Sequence, residues 1–250
     1  MEILAIIPAR GGSKSIPKKN IYPLLGKPMI AYSIESAKAA KHITRTIVST
    51  DDAEIASVAK SFGADIPFMR PAELAGDRTP DLPVFQHALQ WLKDNEGYTP
   101  DFVVHVWATS PYRKKGDLDK LIELLMSDPN ATAALSVTTP GQSPFKMFKG
   151  EQTESPYLIP LLKSSYPELY EPGKVPPHES PRQSLPKTVQ LTGYMAVIRP
   201  EVILEQNSMM GARILPFFHD PDTYTEADSY KDIAYAEQVL KEMAEKEGAA

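Results

Sequence analysis

The 250-residue sequence contains no cysteine. That excludes disulfides, thiolate metal sites and a thiol nucleophile, and it fits a reducing cytoplasm. No apolar run comes near the roughly 20 residues needed to span a bilayer, so no membrane association is expected. Met1 leads straight into a strand-like run, without a charged segment followed by an apolar one, so no secretory leader is expected either. A basic excess is also missing. The net charge of −5 argues against a general nucleic-acid binder. The N-terminal loop matches neither the Walker pattern Gly-x-x-x-x-Gly-Lys-Ser/Thr nor the dinucleotide pattern Gly-x-Gly-x-x-Gly. There is no internal repeat. The 42% hydrophobic content suffices for one large domain, or one domain with an appendage.

The most informative stretch lies at the N-terminus. An apolar run from Ile3 to Ile7 ends at Pro8 and opens into a loop with Gly11, Gly12 and four cations, Arg10, Lys14, Lys18 and Lys19. The run has the length and β-branched content of a strand. Two glycines let a backbone approach an anion closely and turn its N–H groups toward it. Arg10, Lys14 and Lys19 then offer one planar fork and two point charges to a polyphosphate. A solvated turn with scattered lysines is the plain alternative.

Beyond this loop the first two-thirds alternates between helix and strand patterns. Helices are expected over 29–40, 53–62, 82–95 and 117–126, and strands over 46–49, 102–107 and 133–137. Asp51 or Asp52 is placed to cap the second helix, and Gly63 to close it. This rhythm predicts an α/β fold with a parallel sheet covered on both faces, and ligands beyond the carboxyl ends of its strands. From about 140 to 186 the texture changes: prolines crowd in, Tyr157, Tyr166 and Tyr170 appear, and the rhythm fails. A structureless loop of this length is uncommon in a compact domain unless it is functional or bound to something. We read it as an arm inserted into a single domain spanning 1–250. Strand character resumes over 189–198, and a last helix is expected over 233–244.

Four further segments carry chemistry. Ser49-Thr50-Asp51-Asp52 sits at a strand end, where helix capping is the simpler role. Arg70 opens Arg-Pro-Ala-Glu-Leu-Ala-Gly-Asp77 and can reach a phosphate, a base or only a surface partner. Thr109 and Ser110 follow a strand and offer hydroxyls to a ligand, or serve merely as a connection. Glu226 and Asp228, two positions apart in extended chain, share a side. They suit a hard divalent cation, or equally the start of the last helix. Cations for a triphosphate and acids for Mg²⁺, on one edge of a sheet, suit nucleotidyl transfer, in which charge builds on phosphate oxygens and fixed cations stabilise it.

These residues resemble the acylneuraminate cytidylyltransferases, the CMP-sialic acid synthetases and their relatives. The likeness runs through Ile6-Ile-Pro-Ala-Arg-Gly-Gly-Ser-Lys14, Ile16-Pro-Lys-Lys-Asn20, Gly26-Lys-Pro-Met-Ile-Ala-Tyr-Ser-Ile34 and Val48-Ser-Thr-Asp-Asp52. It continues in Thr109-Ser-Pro-Tyr-Arg113, Pro181-Arg-Gln-Ser-Leu-Pro186 and Asn207-Ser-Met-Met-Gly211. The resemblance implies a three-layer, mostly parallel sheet of the nucleotide-diphospho-sugar transferase type, with a protruding dimerisation arm. It implies a cytoplasmic homodimer that uses CTP and Mg²⁺ to activate a nine-carbon, sialic-acid-like keto sugar. On this likeness Arg10, Lys19 and Asp228 carry catalysis. Gly12, Ser13, Lys14, Asn20, Arg70, Asp77 and Asp81 bind the nucleotide. Trp107, Thr109, Ser110, Lys146, Arg182, Gln190 and Gly193 face the acceptor, and Asp228 with Glu226 holds the metal.

The sequence also departs from the family. Glu226 stands where an Asp is usual, Trp107-Ala108 replace a polar residue and proline, and Thr192-Gly-Tyr194 replaces Asn-Gly-Ala. A wall that exchanges a polar group for Trp107 gains an apolar face and loses hydrogen bonds, which changes acceptor preference. A guanylyl- or uridylyltransferase acting on a sugar 1-phosphate, and a non-catalytic nucleotide-binding relative, stay open at this stage.

Overall fold

The computed structural model describes residues 1–150 and 157–248. Residues 151–156, inside the expected arm, lie outside the described residues. The chain runs β1 (Ile3–Pro8), a short hairpin of β2 (Pro23–Leu24) and β3 (Lys27–Pro28), α1 (Met29–Ala39), β4 (Arg45–Ser49) and α2 (Ala53–Ser61). It continues through α3 (Asp81–Glu96), β5 (Phe102–His105), α4 (Asp117–Met126) and β6 (Ala133–Thr138). It closes with β7 (Gln190–Ile198), α5 (Pro200–Leu204), β8 (Ile214–Phe218) and α6 (Tyr230–Gly248).

Six strands form one sheet in the order β4-β1-β5-β7-β6-β8. β1 runs parallel to both β4 and β5, and β6 runs parallel to β8. β7 is antiparallel to β5, so the sheet is mixed and mostly parallel, where the rhythm alone predicts a parallel one. The cause is connectivity. A parallel neighbour needs a crossover packed on the sheet face, whereas β7 is entered from the proline-rich segment that follows β6.

Side chains alternate across β1. Ile3, Ala5 and Ile7 pack with Ile30 and Ile34 of α1, Ile55 of α2 and Leu121 of α4. Leu4 and Ile6 face the other way, onto Val84, Phe85 and Leu89 of α3 and Val202 of α5. Both faces of the strand are fully buried, which explains its continuous apolar run. Each of its buried Ile and Leu side chains contributes about 1.5–3 kcal/mol on burial.

The helix bounds follow local chemistry. Asp52, not Asp51, caps α2: its carboxylate accepts from the backbone N–H groups of Glu54 (2.8 Å) and Ile55 (3.0 Å). α3 stops at Gly97, which holds φ 63°, a left-handed angle that glycine adopts without a Cβ clash. β5 is shorter than expected. Val106 N–H still donates to Ile6 O at 3.2 Å, but the chain then turns, and Ser110 N–H reaches back to Trp107 O at 3.3 Å. The β2–β3 hairpin, α5 and β8 are elements that the periodicity does not predict. β8 carries Pro216 and is only half-buried in alternation, so its pattern is that of a weak strand.

A third, smaller apolar cluster decides where the C-terminus goes. Ile16 from the N-terminal loop, Leu24 and Met29 pack with Ala227, Ile233 and Ala236. Tyr22 and Tyr230 meet edge to face at 6.1 Å beside it. Ser229 and Asp232 close a reciprocal box at the start of α6, with Ser229 N–H donating to Asp232 Oδ2 at 2.7 Å.

Residues Thr138–Gln190 form a separate unit. Within it Phe145 is buried and meets Tyr166 at 5.2 Å. Lys149 N–H donates to Ile159 O at 2.9 Å, and Leu161 N–H to Met147 O at 2.9 Å. Leu158 (73% exposed) and Val175 (67%) stand in solvent.

Truncating Ile16 to alanine should cost about 2–5 kcal/mol in urea unfolding. Hydrogen exchange should show protection lost first in α6 and the loop over 9–20, not in α3; uniform loss would mean that this cluster does not anchor α6.

Candidate active site

The sheet topology gathers the site. Because β1, β4 and β5 are parallel, with Pro8 opposite Ser49 and Ile6 opposite His105, the loops over 9–20, 50–52 and 106–116 leave from one edge. A cleft of about 370 Å³ opens there, lined by Arg10, Ser13, Lys14, Lys19 and Asn20 from the first loop. Arg70, Asp81, Trp107 and Thr109 also line it.

The basic loop is held in shape by specific bonds. Asn20 Nδ2 donates to Arg10 O at 2.9 Å, and Gly11 N–H donates to Asp51 Oδ1 at 3.0 Å. A Cβ on Gly11 would meet Asp52 Oδ2 at 2.7 Å, so this position requires glycine. A Cβ on Gly12 would meet nothing within 4 Å, which leaves its backbone open to an approaching anion. Lys18, with φ 51°, makes the bend that sends the chain into the turn Lys19–Ile21.

Two cations share one acid. Arg10 NH1 donates to Asp77 Oδ1 at 2.5 Å, and Lys14 Nζ pairs with Asp77 Oδ2. Lys14 first, then Arg10, hold the Asp77 carboxyl below the usual range. Lys19, only 15% exposed, reaches across to Asp228 Oδ1. The N-terminal turn and the acidic segment, 209 positions apart, therefore meet through Lys19, a residue of the cleft wall.

Glu226 and Asp228 are not the capping acids of α6; Asp232 fills that role. Glu226 Oε2 accepts from Tyr224 OH at 2.7 Å, and the same phenol oxygen accepts from Gly193 N–H at 2.9 Å. Burial first, then Glu226, raise the Tyr224 pKa. A Cβ on Gly193 would lie 3.2 Å from Glu226 Oε1 and 3.6 Å from Trp107 Cδ1, so β7 needs a bare backbone where these groups converge. Ala227 N–H donates to Thr109 O at 2.8 Å and fixes the acidic segment against the loop that follows β5. Among the described residues no group of three or more His, Cys, Asp or Glu forms a cation cage. The donors offered to a hard cation are two carboxylates, one of them paired with Lys19 of the basic loop, a set that fits an ion sharing its ligands with phosphate oxygens.

Other expected site residues divide. Arg70 lines the cleft but is 6% exposed, with Nε donating to Ser49 Oγ at 3.1 Å and NH2 to Ser49 O. Burial lowers its pKa. It braces the end of β4 as well as facing the cavity. Asp81, at the start of α3, has its pKa raised by burial against the opposing pull of Arg70. Thr109 is on the cleft wall, whereas Ser110 is fully buried and spends its hydroxyl on Gly193 O at 2.7 Å. Lys146, in the turn Pro144–Lys146, and Arg182, which donates to Pro140 O at 2.6 Å, belong to the separate unit 138–190. Gln190 is exposed at the start of β7.

Sequence reasoning missed two residues. Arg113, buried, donates to Tyr194 O (2.9 Å), Ser33 Oγ (2.9 Å), Ser110 O (2.7 Å) and Trp107 O (2.7 Å). Burial lowers its pKa to about 10, and the guanidinium pins the loop after β5 to β7 and α1. His105 ends β5 on the cleft wall. A histidine inside the apolar run Val103–Val106 is the signal that would have drawn attention to it.

The cytidylyltransferase family model matches residues 4–155. The chain belongs to the cytidylyltransferase family. It is 30% identical over 249 residues to post-translational flagellin modification protein B of Campylobacter coli, covering 96% of each chain. It is 31% identical over 241 residues to CMP-N,N'-diacetyllegionaminic acid synthase of Campylobacter jejuni, covering 96% of this chain and 95% of that one. A 124-residue stretch, 49% of this chain, is 44% identical to the pseudaminic acid cytidylyltransferase of Campylobacter jejuni, spanning about half (53%) of that relative. Among solved structures, CMP:2-keto-3-deoxy-manno-octonic acid synthetase complexed with CTP superposes with a TM-score of 0.67, covering 97% of this chain and all of that one. At 15% identity this likeness speaks for the shared fold. No helix among the described residues of this cytidylyltransferase is long and apolar enough to cross a membrane.

Replacing Asp77 by asparagine should free Arg10 and Lys14 and tighten inorganic tripolyphosphate binding about two- to five-fold, the scale of an exposed ion pair. Calorimetric titration measures it; weaker binding would mean that Asp77 itself contacts the anion side of the site.

Proposed function

We propose that this cytidylyltransferase transfers CMP from CTP to the anomeric hydroxyl of a nonulosonic acid, a nine-carbon α-keto sugar, and releases pyrophosphate. The observation that carries the reading is the meeting of Lys19 and Asp228 at the cleft, beside Arg10 and Lys14. Cations for a triphosphate line the cavity, and the acid for its counter-cation is paired with one of them. The names of the legionaminic and pseudaminic acid relatives support a nonulosonate as acceptor.

The chain's own groups account for much of the chemistry. Arg10, Lys14 and Lys19 bind the β- and γ-phosphates and stabilise the negative charge that grows on them as pyrophosphate departs. The open backbone beside Gly12 lets the phosphates come close. Asn20 keeps Arg10 oriented through its backbone oxygen. Arg70 and Asp81 frame the nucleoside. Trp107, Thr109 and the bare backbone at Gly193 form the acceptor wall and orient the attacking hydroxyl, which supplies the effective concentration of the reaction. Asp228, with Glu226, would hold Mg²⁺, which supplies charge neutralisation on the phosphate oxygens.

Lys19→Ala should lower kcat by about a hundredfold, the scale for loss of one preorganised charge contact. Asp228→Ala should abolish Mg²⁺-dependent release of pyrophosphate while leaving the melting temperature unchanged, since the side chain is 60% exposed. Pyrophosphate release from GTP plus a hexosamine phosphate, and none from CTP plus a nonulosonate, would overturn the assignment.

The enzyme acts as a cytoplasmic homodimer joined through the 138–190 unit. Its Leu158, Leu161, Tyr166 and Val175 are exposed, apolar side chains that a partner surface would cover. Leu158→Glu should convert a dimer into a monomer in light scattering after size-exclusion chromatography; a monomeric unsubstituted protein would refute the proposal.

A further inference from the structure

Glu226 is one methylene longer than the aspartate usual at its position, and that length is spent on a bond to a tyrosine. Burial alternates along the segment that carries it. Thr225 and Ala227 are buried, Tyr224 is half-buried, and Glu226 and Asp228 are exposed. Ala227 is anchored twice, in the apolar cluster with Ile16 and Leu24 and through its N–H on Thr109 O at 2.8 Å. With alternate residues fixed inward, Tyr224 and Glu226 share the other side. Tyr224 OH donates to Glu226 Oε2 at 2.7 Å and accepts from Gly193 N–H at 2.9 Å. An amide N–H can only donate. The phenol's one proton is therefore left for the carboxylate, and the direction of both bonds is fixed.

Tyr224 is itself held. Its ring lies 5.3 Å from that of His219, inclined at 58°. His219 is engaged at both ring nitrogens, by Thr192 Oγ1 at 2.9 Å and Asp220 O at 3.2 Å, and Tyr194 stacks on it at 4.7 Å. An exposed glutamate standing alone samples many rotamers and loses that freedom on meeting a cation. A bond to a fixed phenol removes the freedom beforehand, which is the advantage of preorganisation. Tyr224 engages Oε2 only. The other oxygen, Oε1, stands against Gly193, 3.2 Å from where a Cβ would be.

We propose that Tyr224 is a positioning residue for Mg²⁺: it holds Glu226 by Oε2, fastens that acid to the β7 backbone at Gly193, and leaves Oε1 to the ion. The inference rests on the reading of Glu226 and Asp228 as the Mg²⁺ acids. It makes the tyrosine the partner that lets a glutamate do the work of a shorter acid. A purely structural tyrosine would serve only to satisfy the Gly193 N–H.

Tyr224→Phe removes the hydroxyl and keeps the ring against His219. Binding of Mn²⁺ to the enzyme with CTP and no acceptor, followed by water-proton relaxation, should weaken about tenfold, the scale for loss of a group behind a metal ligand. The Mg²⁺ concentration for half-maximal pyrophosphate release should rise by the same factor, with KM for CTP at saturating Mg²⁺ unchanged. Glu226→Asp draws the carboxylate out of the phenol's reach, so adding Tyr224→Phe to it should change Mn²⁺ affinity less than twofold. This double-mutant cycle isolates the pair even where loss of the hydroxyl lowers the melting temperature. Equal Mn²⁺ affinity in Tyr224→Phe and the unsubstituted enzyme would overturn the proposal. Effects of the two substitutions that simply multiply would overturn it too, since a tyrosine serving only Gly193 acts independently of Glu226. Mn²⁺ affinity untouched by both Glu226→Ala and Asp228→Ala would bring down the reading of the two acids with it.

Discussion

The active site depends on a small apolar contact outside the main core. Ile16, Leu24 and Met29 on the N-terminal side meet Ala227, Ile233 and Ala236 on the C-terminal side. This contact, together with the Ala227–Thr109 hydrogen bond, sets Asp228 beside Lys19. Electrostatic attraction between one lysine and an acid 60% exposed is too weak to hold together positions 209 apart in the chain. Burial of six apolar side chains is not. The hydrophobic effect places the segments, and the ion pair is the consequence.

A second constraint acts from the opposite wall. The four hydrogen bonds of Arg113 hold the chain from Trp107 to Ser110 against β7 and α1. Ser110 adds a bond to Gly193, and Thr109 accepts from Ala227. The loop that looks like a ligand-binding motif is thus largely occupied with its own structure. What it presents to the cavity is Thr109 and the Trp107 ring. Rigid walls of this kind make a transition-state site effective, because polar groups aimed in advance need no reorganisation when charge develops.

How much of this was legible in the chain follows from the range of each signal. The first strand, its basic loop and the α2 cap are written in short windows, and β1, Gly11 and Asp52 occur where local chemistry predicts them. The pairing of Lys19 with Asp228 has no local signal: charge and sheet topology pointed to a shared edge, and the resemblance to a family gave each residue a role but not the contact. Thr109 and Ser110 are alike as sequence; only the neighbouring β7 backbone separates the exposed hydroxyl from the buried one. Arg70 reads as a free cation until Ser49, from another strand, is seen to cover it. β7 could not be oriented because its antiparallel course is set by the residues between it and β6. His105 was hidden by its surroundings: a single polar residue in an apolar run reads as core until the cleft it borders is seen.

Asp77 gives the site one property that a merely basic groove lacks. It already occupies Arg10 and Lys14, so an arriving triphosphate exchanges one anion for another instead of entering an uncompensated positive field. Fewer mobile ions are then displaced on association than the number of cations would indicate, and screening affects both the bound and the vacant forms. Such a pocket avoids capturing any passing polyanion by charge alone and leaves selection to shape, which suits an enzyme that must find a single nucleotide among many cellular phosphates.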